Sequence, residues 1–182
     1  MKKLVGILLT FLLILVCCNT IKVVKVKDNI KTDALRFQKD YEIKDQENIY
    51  EYTTLENILD IMENGTGIIF LGIPNEENST LMGQIINEVS KEKSINKVLY
   101  YNHKDIRENK TEEYFTLLDH IYKNEEDIDK SLPNQIVIVV KKGNVVGTYN
   151  YIEIENVKVN IEEKTSTIKN NVSNLIDKLK NS

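Results

Sequence analysis

Residues 65–80 read GTGIIFLGIPNEENST, and residues 131–147 read SLPNQIVIVVKKGNVVG. In the first stretch, positions 68–71 are apolar without interruption and are bounded by Gly67 and Gly72. A run that short and that uniformly apolar predicts a strand covered on both faces. Pro74 and the polar residues after it turn the chain into a helix, with Asn78 or Ser79 as the expected N-cap and Leu81, Met82, Ile85, Ile86 and Val89 at helical spacing. The second stretch supplies a strongly β-branched strand at 135–140, a Lys142-Gly143-Asn144 turn and a returning strand at 145–149.

Working outward, NIYEY at 48–52 alternates apolar and polar residues and predicts a short strand. Thr53-Thr54-Leu55-Glu56 has the form of a capping box, with the Thr53 hydroxyl expected at the N3 amide and Glu56 reaching back. A helix follows with Leu55, Ile58, Leu59 and Met62 on one stripe, ending at Asn64-Gly65. KVLYYN at 97–102 is a strand, 111–123 a helix with Tyr114, Leu117, Leu118 and Ile121 inward, and Ile161–Lys180 a helix carrying Ile168, Val172, Leu175, Ile176 and Leu179 on its apolar stripe. The order β-α-β-α-β-α-β-β-α predicts an α/β fold, a central mixed β-sheet flanked by helices on both faces.

The N-terminus has a different character. Residues 1–18 read MKKLVGILLTFLLILVCC, a positive start, an apolar run and two cysteines. The run has the length of a secretory signal and is short for a spanning helix. The adjacent Cys17 and Cys18 are the only cysteines, and a vicinal pair in that place is neither a disulfide framework nor a zinc site nor a CxxC motif. The segment Leu15-Val16-Cys17-Cys18 resembles a bacterial lipobox, with Cys18 the lipidated residue; an uncleaved anchor and free secretion are the alternatives. All three place the protein outside the cytoplasm, and the first two anchor it to the membrane of a bacterial cell envelope. Residues 19–46 show no sustained periodicity and are read as a linker, with a short helix near 34–41. The domain is expected over 47–182.

Composition narrows the partners. A chain with 41% hydrophobic and 29% charged residues suits a globular fold, and a net charge of −4, more negative once Lys2 and Lys3 are set aside, supplies no basic patch for nucleic acid.

Over residues 47–180 the chain resembles thioredoxin-like proteins, and more closely the lipoprotein thioredoxins of Gram-positive bacteria. Their reactive loop follows a pattern like GxGxxxFGxPxCPxC. Gly72 and Pro74 match it, but Glu76 and Ser79 stand where the two cysteines belong, with Glu77 and Asn78 between them. In the second stretch Pro133 matches the family's cis-proline, Gly143 its turn and Gly147 the glycine after the turn. The ALRFQKDYE segment, 34–42, resembles the group's pre-domain region. The resemblance implies a cis Leu132–Pro133 bond, which proline permits at little cost; an ordinary trans-proline opening a strand is the alternative. It also implies that the Leu132 backbone faces outward to pair with an extended peptide.

Thiol–disulfide exchange needs an attacking thiolate and a resolving thiol, and neither Glu76 nor Ser79 has sulfur. No catalytic residue, cofactor or metal is therefore assigned. Glu76 and Glu77 suit a helix N-terminus electrostatically. Nothing in the sequence joins His103 or His120 to Ser79 as a base. His103 with Asp105 makes too few ligands for a metal site, and the acidic run 125–129 lacks the glycine and spacing of a calcium loop. The leading expectation is a redox-inactive module that binds a protein or peptide partner in the envelope through a groove of Ile73, Pro74, Asn75, Glu76, Leu132 and Pro133. The alternatives are an accessory of a thiol–disulfide oxidoreductase system, in redox upkeep or in export or maturation of secreted peptides, and a structural envelope lipoprotein.

Overall fold

The computed structural model describes residues 31–123, 131–153 and 159–180. The leader, Cys18, residues 19–30 and the acidic run 125–129 lie outside the described residues. Among those described, no helix is long and apolar enough to cross a membrane.

A helix at residues 31–40 (α1) precedes β1 (Tyr50–Tyr52), α2 (Leu55–Asn64), β2 (Gly67–Gly72), α3 (Glu77–Glu92), β3 (Val98–Tyr101), α4 (Lys104–Asn109), α5 (Glu112–Ile121), β4 (Gln135–Lys141), β5 (Asn144–Tyr149) and α6 (Ile161–Lys180). The five strands form one sheet in the order β1-β3-β2-β4-β5. β3 runs parallel to β1 and β2, while β4 is antiparallel to both β2 and β5. The α/β architecture with a mixed sheet is thus as the sequence predicts.

Alternation along the strands divides the core in two, because successive side chains leave a strand on opposite faces. Ile68, Phe70, Val137 and Val139 point to one face, where α1, α3 and α6 contribute Phe37, Tyr41, Met82, Ile86, Ile168, Val172 and Ile176. Ile69, Leu71, Ile136, Ile138 and Val140 point to the other, under Ile58 and Met62 of α2 and Leu117, Leu118 and Ile121 of α5. The strand β2 that the sequence marks as doubly covered is buried throughout from Ile68 to Gly72.

Four local expectations need correction. The stretch read as a linker is part of the domain from residue 31: Phe37 and Tyr41 are wholly buried, and Asn48 Nδ2 donates to the Ala34 carbonyl at 2.7 Å. The N-cap of α2 is Thr54, not Thr53; its hydroxyl accepts from the Asn57 amide, while the Thr53 hydroxyl accepts from Asn57 Nδ2 at 2.7 Å. α3 starts two or three residues earlier than predicted, with Glu76 as N-cap, because Asn75 takes a left-handed φ of 64° and turns the chain at once. The six-residue α4 carries only Ile106 as an apolar side chain, so it leaves no periodic signal.

At the tip of the β4–β5 hairpin, Gly143 has φ +72°, and an added Cβ would lie 2.0 Å from the Glu63 carbonyl oxygen. The turn is seated on the end of α2: the Gly143 amide donates to the Gly65 carbonyl at 2.8 Å, and the Lys142 amide donates to Thr66 Oγ1 at 2.9 Å.

Candidate functional site

The helices that follow the adjacent strands β2 and β3 go to opposite faces: α3 packs on the aromatic side and α5 on the aliphatic side. In an open α/β sheet such a switch point, at the carboxyl ends of the two strands, is the usual place for a ligand. The chain there is the loop from Ile73 to Glu76 and the segment Asn102–His103, with the approach to β4, Leu132 and Pro133, beside it.

The loop is shaped by Ser79. Glu76 is exposed at the N-cap of α3, and three positions on Ser79 is wholly buried. Ser79 Oγ accepts from the Ile73 amide at 2.9 Å and lies 3.4 Å from the Tyr41 hydroxyl. Tyr41 in turn donates to the Tyr100 hydroxyl at 3.1 Å, and Tyr100 donates to the Gly72 carbonyl at 3.2 Å. These hydroxyls therefore tie together the end of α1, the end of β2, β3 and the first turn of α3. Burial pushes the Tyr41 phenol up to about 12 and raises Tyr100 further, so both remain protonated donors near neutrality. Gly72 has no side chain because none fits: a Cβ there would stand 2.5 Å from the Tyr41 hydroxyl oxygen and 2.6 Å from Phe70 Cζ.

Charge at the head of α3 is balanced within the fold. Glu77 lies 3.8 Å from Lys164 Nζ, and the same buried ammonium binds Glu153 at 2.5 Å. Glu76 makes no side-chain bond to the helix, so its carboxylate faces solvent.

The segment before β4 departs from expectation. Among the described residues no peptide bond is cis, so the Leu132–Pro133 bond is trans. Nor is the Leu132 backbone free to pair: the residue is 2% exposed with its side chain in the aliphatic core, and its carbonyl is taken by Arg107. The reason lies in α4. His103, its N-cap, places Nε2 2.8 Å from the Pro133 carbonyl, and Arg107, four residues on, donates from Nε to the Leu132 carbonyl at 2.8 Å. Since a carbonyl only accepts, His103 Nε2 carries the proton and Nδ1 does not. Burial holds the His103 imidazole down to about 4, with Arg107 adding to the effect and the Pro133 carbonyl opposing it.

Of the six residues assigned to a groove, Pro74, Asn75, Glu76 and Pro133 reach the surface, while Ile73 and Leu132 are core. Ser79 and the histidines are each engaged elsewhere: His120 contacts the Thr116 carbonyl at 2.8 Å and Glu63 at 3.0 Å. The residues that sequence reasoning passed over are Tyr41, Tyr100 and Arg107. Arg107 left a signal as one of only two arginines among 24 basic residues, and Tyr41 as the residue four positions after Phe37.

No family model matches this chain, and no curated protein or solved structure matches it either.

Proposed function

We propose that the chain is a redox-inactive thioredoxin-like domain that works by binding a protein or peptide partner at the loop 73–76 and Pro133. The observation that carries this reading is the pair Glu76 and Ser79, one exposed at the N-cap of a long helix and the other buried three positions on. That is the placement a dithiol pair needs, an accessible attacking group at the positive end of a helix and a resolving group behind it. Here the first position holds a solvated carboxylate and the second a hydroxyl already bound to the Ile73 amide. Strand order and direction are those expected of a thioredoxin-like sheet and support the same reading.

On this reading the protein is held at the outer face of a bacterial membrane by a lipid on Cys18 or by an uncleaved anchor, and the partner is another envelope protein or a secreted peptide. An insulin-reduction assay tests the scaffold directly. The full chain carrying Cys17→Ser and Cys18→Ser should show no turnover above buffer. Adding Glu76→Cys and Ser79→Cys should introduce turnover, because the pair then stands at a helix N-terminus that lowers the attacking thiol's pKa. Turnover without the new cysteines overturns the redox-inactive reading. A folded double-cysteine variant that neither forms the 76–79 disulfide nor reduces insulin overturns the thioredoxin-like one.

A further inference from the structure

Arg107 covers a backbone acceptor of the segment before β4, the Leu132 carbonyl, through which an extended peptide would join it. Its Nε donates to the Leu132 carbonyl at 2.8 Å, and with Leu132 only 2% exposed that oxygen is closed to a ligand while the guanidinium lies on it. The two anchors of α4 are unequal. His103 is wholly buried against the Pro133 carbonyl, whereas Arg107 is only partly buried on a short helix. Arg107 also makes no ion pair among the described residues: the nearby carboxylate Glu108 pairs instead with Lys104, at 3.9 Å. Its charge therefore has a carbonyl for a partner where a carboxylate would bind more strongly, in a two-pronged geometry that guanidinium suits and ammonium does not.

We propose that Arg107 is a displaceable plug on Leu132, and that the partner it admits is an extended peptide bearing a carboxylate side chain. The carboxylate takes the guanidinium, and the freed Leu132 carbonyl accepts an amide of the peptide, as in strand addition. This proposal rests on the binding reading above and specifies the chemistry of its ligand.

The test is an NMR titration of the ¹⁵N-labelled full chain and its Arg107→Ala variant with two end-blocked hexapeptides, alternating Val with Glu or Val with Lys. In the wild type the Glu peptide should shift the Arg107 Nε–H signal and the amides of Glu76, Leu132 and Asn134. It should bind at least roughly tenfold tighter than the Lys peptide, the fold-change of a charge-assisted hydrogen bond. In the variant the same amides should still respond, and the two peptides should bind within about twofold of each other. Equal binding of both peptides to the wild type, or an Arg107 signal unmoved at saturation, overturns the plug and leaves the binding reading standing. If neither peptide moves residues 73–76 or 132–134 in either protein, the groove itself is overturned and the plug with it.

Discussion

Under α1, α3 and α6 the sheet is lined by rings and hydroxyls, whereas under α2 and α5 it is aliphatic. On the first face Phe37 stacks on Tyr41 at 4.2 Å and on Tyr50 at 3.5 Å between ring centroids, and Phe70 and Tyr100 meet these rings at an angle. On the second, Tyr114 is the one aromatic residue in a buried cluster of Ile, Leu, Met and Val. Aliphatic packing is tolerant of substitution so long as volume is kept. A buried network of hydroxyls is not, because each member left without its partner costs the full desolvation of that group. The aromatic face therefore specifies geometry, and the geometry it specifies is that of the loop 73–76, through Tyr41 and Ser79. The aliphatic face supplies stability with less positional demand.

The largest expected effect that would break this contrast is on Phe37. Phe37→Ala should lower unfolding free energy by about 3–5 kcal/mol, read from urea denaturation. Ile58→Val on the aliphatic face should cost only about 0.5–1.5 kcal/mol. A Phe37 variant within 1 kcal/mol of wild type would show that α1 is an appendage after all.

The next concerns the clamp on Pro133. The imidazole of His103 is pushed down to about 4 in the fold, against 6.5 for an unperturbed histidine. The unfolded chain thus takes up a proton below pH 6.5 that the folded chain refuses. Stability from this group is complete above pH 6.5 and is lost as pH falls toward 4, by about 3 kcal/mol. Denaturation midpoints between pH 7 and 4 should drop less steeply in a His103→Gln variant. Parallel pH profiles would mean that the ring is solvated.

The smallest effect sharpens the comparison most. Tyr41→Phe keeps the ring and removes only the hydroxyl that meets Tyr100 and Ser79. It should cost about 1–3 kcal/mol, because the buried Ser79 hydroxyl loses its acceptor. Hydrogen exchange should quicken at the Ile73 amide and remain unchanged at the β4 amides of the same sheet. Equal acceleration at both would make the hydroxyl a matter of general stability, without a special link to the loop.

What the sequence made legible follows from period and length. The stripe Ile168, Val172, Leu175, Ile176 marks α6 at its true bounds, and the run 68–71 marks β2, since each repeats one geometry over enough residues to be seen. α1 was half-visible: Phe37 and Tyr41 are four apart, but an isolated pair does not say whether a helix docks. α4 was invisible because two long-range bonds from His103 and Arg107 hold it, in place of an apolar stripe. The same two bonds explain why the segment at Pro133 misled. Proline permits a cis bond and says nothing of what side chains elsewhere in the chain do to the carbonyls beside it. At the loop, the identities of Glu76 and Ser79 were readable, but the partnership of Ser79 with Tyr41 spans 38 positions and has no local trace.

The seated hairpin tip bears on how this protein can be altered. Tight β-turns are customary places to splice in a tag, a reporter or a longer loop, since most project into water. Here Gly143 abuts the Glu63 carbonyl, and both it and Lys142 donate their amides to the segment after α2. An insertion between Lys142 and Asn144 would lift the hairpin off that helix end and pull β5 out of register with β4. The most conspicuous turn in the sequence is thus poor ground for grafting, and lineages carrying this fold should vary in length elsewhere.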